Sequence, residues 1–81
     1  MIDRTLSAAQ RMWLTGLRDI PGFDQTYRPA ARTEAVCEQR GWTMLGDEGE
    51  HGWRITEAGL AALRADERRA WRRQAARRLV P

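Results

Sequence analysis

A chain of 81 residues, 42% of them apolar and four of them tryptophan, can pack one small core over 1–81 and has no room for a second catalytic lobe. Its single cysteine excludes an internal disulfide and predicts a reducing, cytoplasmic setting, while no apolar run reaches the length of a membrane span and Met1-Ile2-Asp3-Arg4 lacks the apolar segment of a secretion signal. The net charge of +3 is unevenly spread: residues 1–56 hold seven Arg against eight Asp or Glu, whereas residues 57–81 hold seven Arg against three, so the body is near neutral and the C-terminal end is basic.

Ser7-Ala8-Ala9-Gln10 has capping-box spacing and predicts a helix starting at Ser7. Leu6, Ala9, Trp13, Leu17 and Ile20 then fall on one stripe at helical spacing, flanked by Met12 and Leu14. Pro21-Gly22 ends this helix. The stripe serves a core or a dimer interface, and Trp13 is a candidate for the latter. Only eight residues separate Ile20 from Pro29. They leave space for a turn or two of helix around Asp24 to Arg28, with Phe23 and Tyr27 as anchors.

Pro29 suits a first helical turn, so Pro29 to Arg40 is predicted as the second main helix, closed by Gly41 in a left-handed cap. Val36 and Cys37 face the core on this reading. At about 100° per residue, the opposite face carries Arg28, Arg32 and Gln39 on one edge and Glu34 and Glu38 on the other. Arginine and glutamine suit phosphates and base edges. Glutamate can accept from cytosine but is repelled by phosphate. A solvated helix surface accounts for the same charges equally well.

Thr43-Met44-Leu45 and Trp53-Arg54-Ile55 alternate as two half-buried strands of a hairpin. The loop between them, Gly46 to Gly52, is rich in glycine and carries Asp47, Glu48 and Glu50 with only His51 to offset them. Thr56 follows as a helix N-cap, with Glu57 on the favourable side of the helix dipole. Gly59 costs about 1 kcal/mol inside a helix relative to Ala, which predicts that another backbone passes close to it. One helix can run from Thr56 to about Leu79. Leu60, Leu63, Ala70, Trp71 and Ala75 form a thin apolar stripe on it, interrupted by Glu67 and Gln74. Arg68, Arg69, Arg72, Arg73 and Arg77 cover the far side, and Asp66 and Glu67 can pair with part of them.

The strand-Thr-Glu-Ala-Gly-helix joint at 53–63 resembles the exit from the wing of small winged helix-turn-helix proteins. Thr33, Cys37, Arg40, Gly41 and Trp42 also match the Thr-x-x-x-apolar-x-x-Arg-Gly-aromatic pattern that ends a recognition helix in those proteins, with Cys37 where Leu is commoner. The likeness covers about half the chain and extends in part to MarR-like proteins. It implies an α+β fold: a first helix, a short turn, a recognition-type helix, a β-hairpin wing and a basic terminal helix, with a helical extension at about 64–81. It also implies a DNA-binding regulator of transcription from a bacterium or mobile element, dimeric through terminal helices. Trp13, Leu63 and Trp71 are the expected dimer contacts. Double-stranded DNA would meet Arg28, Arg32 and Gln39 in the major groove, and Arg54, Arg69, Arg72 and Arg73 would lie on phosphates.

DNA-binding wings usually carry Arg or Lys, and this one is acidic. A second expectation is therefore a protein-interaction module, as in phage proteins such as anti-CRISPR inhibitors that reuse winged-helix scaffolds. Glu34, Glu38, Asp47, Glu48 and Glu50 would then bind a basic surface on a protein partner. A structural dimer with no ligand is a third. Fold alone does not choose among them. No catalytic residue, cofactor or metal is expected. His51 and Cys37 are single and lie on different elements, phosphate-loop and nucleophile-elbow motifs are absent, and Glu34 and Glu38 sit on a plain helix surface without a pocket.

Overall fold

A computed structural model describes residues 5–46 and 52–79. Over these described residues the fold is α+β, with four helices and one antiparallel hairpin in the order α1 (Ala8–Asp19), α2 (Phe23–Thr26), α3 (Ala31–Gln39), β1 (Thr43–Leu45), β2 (Trp53–Ile55) and α4 (Glu57–Leu79).

The capping box forms as the sequence predicts. Ser7 Oγ accepts from the Gln10 amide at 3.1 Å, and Gln10 Oε1 accepts from the Ser7 amide at 2.9 Å. Two amides that lack partners within the helix are thereby satisfied at its start. The buried face of α1 differs from the predicted stripe. Leu6, Trp13 and Leu17 join the core, but Leu14 is fully buried while Ala9 is exposed and Ile20 is 52% exposed. The helix stops at Asp19, and Ile20 adopts extended backbone, φ −119° and ψ 108°. Leaving the helix turns Ile20 away from the stripe that its spacing had assigned to it.

Gly22, at φ 70°, makes the sharp turn into α2. The segment after it is a single turn of helix, Phe23–Thr26. A β-carbon at Gly16 would overlap the Phe23 ring, so a glycine in α1 lets α2 lie directly against it. Phe23, Tyr27 and Trp53 surround Trp13, with ring centroids 6.0, 6.3 and 6.5 Å from it. Asp24 is buried, and its carboxylate accepts from the Trp53 amide at 3.1 Å. That bond ties α2 to β2 and satisfies a strand amide that would otherwise have no ladder partner.

The predicted helix over Pro29 to Arg40 is shorter at its start. Ala30 is extended, with ψ 146°, and its carbonyl receives the Glu34 amide, so Ala30 caps the helix and Pro29 lies outside it, buried. The C-terminal end follows the prediction. Gly41 is left-handed at φ 77°, the Gly41 amide donates to the Glu38 carbonyl at 2.9 Å, and the Trp42 amide donates to Cys37 at 3.0 Å. These two bonds are the Schellman arrangement, and the accompanying apolar contact between Trp42 and Cys37 lies inside the core.

The hairpin pairs Thr43 with Ile55, Met44 with Arg54 and Leu45 with Trp53. The strand-to-helix joint then locks onto the end of α3. Thr56 Oγ1 accepts from the Gly59 amide at 3.1 Å, as an N-cap does, and donates to the Gly41 carbonyl. The Thr56 amide donates to the Trp42 carbonyl at 2.9 Å. A β-carbon at Gly59 would overlap that same Trp42 carbonyl oxygen. The close backbone approach predicted from this glycine is therefore present, and its neighbour is the chain at Trp42.

Leu6, Trp13, Leu14, Cys37, Trp42 and Leu63 form the core. Trp13 and Leu63 were expected at a dimer interface; both are 0% exposed and offer no surface to a second copy. The aromatic ring cluster on one side and α4 on the other have already enclosed Trp13. The N-terminal half of α4 packs on α1 through Leu63 and two ion pairs, Arg11 to Asp66 at 2.6 Å and Arg18 to Glu67 at 3.2 Å. Beyond Ala70 the helix leaves the body. Trp71 is 69% exposed, and of residues 72–78 only Ala75 is even partly covered.

Candidate nucleic-acid interface

Three surfaces bear on the expected function: the outer face of α3, the hairpin and the projecting end of α4. On α3, Arg32 and Gln39 are both exposed and stand two turns apart on one line, about 10 Å along the axis. Arg28 precedes the helix, and its guanidinium lies 3.4 Å from the Glu34 carboxylate. The same ion pair engages Glu34, a candidate for the protein-binding reading, while Glu38 is exposed. Arg40 stacks on Trp42 with its guanidinium 5.2 Å from the ring centroid, a structural use of a cation close to this face. The structure thus brings Arg32 and Gln39 into line, and it places Arg28 in a local pair with Glu34.

On the hairpin, strand alternation puts Arg54 and its register partner Met44 on one face, with Arg54 exposed. The acidic loop residues Asp47, Glu48 and Glu50, together with His51, lie outside the described residues.

The end of α4 is the most strongly charged of the three surfaces. Arg68, Arg69, Arg72, Arg73, Arg77 and Arg78 follow Glu67, and no acid occurs after Glu67 in the chain. Arg69 reaches Asp66 at 3.6 Å. Glu67 pairs with Arg18 of α1 rather than with the arginines of its own helix. Among the described residues no carboxylate stands within ion-pair distance of Arg72, Arg73, Arg77 or Arg78. Trp71 stands among these arginines and does not fold back onto Trp13.

The sequence did not single out Asp66 as a structural acid. Its carboxylate is 4% exposed and receives Arg11 Nε at 2.6 Å. The Arg11 hydrogen bond holds the Asp66 carboxyl below the usual carboxylate range, against the opposing effect of burial and with help from the charges of Arg11 and Arg69. Arg11 also donates to the Leu6 carbonyl at 3.3 Å, so one guanidinium clamps the chain before α1 to the middle of α4. The available signal was Asp66 three residues after Leu63, an acid on the buried line of a helix. At the far end of α1, Arg18 donates to Asp19 at 2.7 Å, and that bond lowers the Asp19 carboxyl. Burial pushes the Cys37 thiol up to about 11, with Arg40 opposing weakly, as expected of a packed rather than a nucleophilic cysteine.

Among the described residues, no group of three His, Cys, Asp or Glu side chains is placed to hold a metal ion, and no helix is long and apolar enough to cross a membrane. The chain matches no family model, no curated protein and no solved structure.

Proposed function

We propose that this chain is a small nucleic-acid-binding protein built on a winged-helix plan, with duplex DNA held mainly by the projecting end of α4. The observation that carries this reading is the run of six arginines at 68–78 with no acid after Glu67, on a helix that has left the protein body. Duplex DNA presents about one negative charge per 1.7 Å of axis, and residues 68–78 span roughly 16 Å at the helical rise. Guanidinium groups around the helix can therefore reach several successive phosphates, donating paired hydrogen bonds to each.

The winged-helix plan is supported by the element order, by the Schellman end of α3 at Gly41 and by the Thr56–Gly59 joint. In this plan α3 presents Arg32 and Gln39 to base edges, and Arg54 on the hairpin lies on the backbone. The division of labour differs from the usual one. The face of α3 mixes acid and base, so it contributes register more than affinity, and the arm supplies the sequence-independent grip.

Fluorescence polarisation against a random duplex at several salt concentrations tests the proposal. If about five phosphates are neutralised, affinity falls roughly 500-fold between 50 and 200 mM salt. Replacing Arg72, Arg73, Arg77 and Arg78 together by Gln lowers the log–log salt slope by about 3.6, at about 0.9 for each phosphate that is no longer neutralised. Absence of binding by the unmodified protein at low salt overturns the reading, and a slope unchanged by the fourfold substitution removes the arm from it.

A further inference from the structure

We infer that Trp71 is a stacking platform for an unpaired nucleobase, so that the α4 arm engages single-stranded nucleic acid and not only duplex. This rests on the nucleic-acid reading above and names the feature of the ligand that the arm selects. Three of the four tryptophans serve the fold: Trp13 and Trp42 are buried, and Trp53 is packed against the core. Trp71 alone does not. Its indole is 69% exposed and is flanked by two open recesses on the helix surface. One, of about 250 Å³, is lined by Trp71, Gln74, Ala75 and Arg78. The other, of about 390 Å³, is lined by Trp71, Arg64, Glu67 and Arg68. A flat ring laid on the indole enters either recess and meets an arginine at its edge, and Gln74 in the first adds an amide that can both donate and accept.

The charge around the indole selects the occupant. A second copy of the chain docked along this face would bring two sets of six arginines together. It would bury little beyond a pair of tryptophans, each contributing about 150–250 Å² where a stable interface needs roughly 1,200–2,000 Å². A polyanion removes the repulsion and uses the arginines. Stacking further requires a base whose face is free. In a duplex both faces of each base are covered by neighbours, and an indole at a groove edge has only its single N–H to offer. In a single strand the bases can turn out onto an aromatic ring while the phosphates run past Arg68, Arg72 and Arg78, the combination that single-strand binders use.

The test compares the full chain with Trp71→Ala and Trp71→Phe, titrated against a fluorescein-labelled oligothymidylate of roughly 12 nucleotides and against a duplex of equal length. Trp71 is exposed and lies beyond the packed part of α4, so both variants keep the circular dichroism spectrum and melting temperature of the parent. The alanine variant is expected to bind the single strand roughly 10- to 100-fold more weakly while its duplex affinity stays within about twofold, and phenylalanine restores most of the loss. The single strand should also quench a component of tryptophan fluorescence that the phenylalanine variant lacks. Equal loss on both ligands, or no loss on either, overturns the stacking role and leaves duplex binding standing. Failure of the parent protein to bind either ligand overturns both readings together.

Discussion

Replacing Gly59 by alanine isolates the contact that joins α3, the hairpin and α4. On an open helix surface, glycine to alanine stabilises by about 1 kcal/mol. Gly59 sits in the first turn of α4 with the Trp42 carbonyl oxygen where a β-carbon would go, and with Ile55 Cγ1 2.7 Å from that position. The obstructing atom is backbone, so it cannot swing aside as a side-chain end could. It is also engaged, because the Trp42 carbonyl receives the Thr56 amide at 2.9 Å. Relief requires moving α4 outward, which lengthens that bond and the one from Thr56 Oγ1 to Gly41. Each hydrogen bond is worth about 1 kcal/mol net, and forcing extra volume into a packed contact costs about 1–3 kcal/mol. After the gain in helix propensity is set against these terms, a net loss of about 2 kcal/mol remains, or a melting point lower by about 8–16 °C for a chain of this size. Thermal unfolding followed by far-ultraviolet circular dichroism measures it, with Ala61→Gly at an exposed site of the same helix as the comparison. The two changes run in opposite chemical directions and both should destabilise. A Gly59→Ala variant that melts at or above the parent temperature refutes the close approach.

The remaining predictions concern charge, the thiol and the arm. Asp66 titrates lower in the folded chain than in the unfolded one, so its contribution to stability is present above the ordinary carboxylate pKa of about 3.9 and is lost as pH falls through the folded value. Asp66→Asn should lower stability near neutral pH by about 1–2 kcal/mol, a figure kept small because Arg11 is 45% exposed and partly screened. Melting curves of parent and variant should converge in acid, and a constant gap at every pH contradicts the assignment. Cys37, fully buried with its thiol raised to about 11, should resist alkylation in the native protein and react once denaturant is added, as read by mass spectrometry. Truncation after Ala70 removes almost no buried surface and should change stability by less than about 0.5 kcal/mol, while abolishing most affinity for nucleic acid. A large drop in melting temperature would show that the arm packs on the body.

Local signals in the chain determined several ends of its elements, though not the start of α3 at Ala31, and the places where its backbone must do something unusual. Ser7 and Gln10 bracket the first turn of α1, Gly41 is left-handed, and Thr56 caps α4. Each of these depends on conformational preference or on hydrogen bonds to residues only a few positions away, so neighbours in sequence suffice to read it. Gly59 was legible for a related reason: its cost inside a helix had to be offset by something, and the something was a passing backbone. The charge of the α4 arm was legible because it is composition alone. The sequence had no means to decide which apolar residues would meet. On a helical wheel Ala9 and Ile20 lie on the apolar stripe and Leu14 stands about 120–140° away at its edge, yet Leu14 is the one that is buried. Only the point where α1 ends and the way α2, α3, β2 and α4 pack around it decided that Leu14 is buried and that Ala9 and Ile20 are exposed. The same non-local packing drew Trp13 and Leu63 into the core instead of a dimer face, buried Asp24 and Asp66 against a strand amide and Arg11, and left Trp71 alone on the helix that outruns the body.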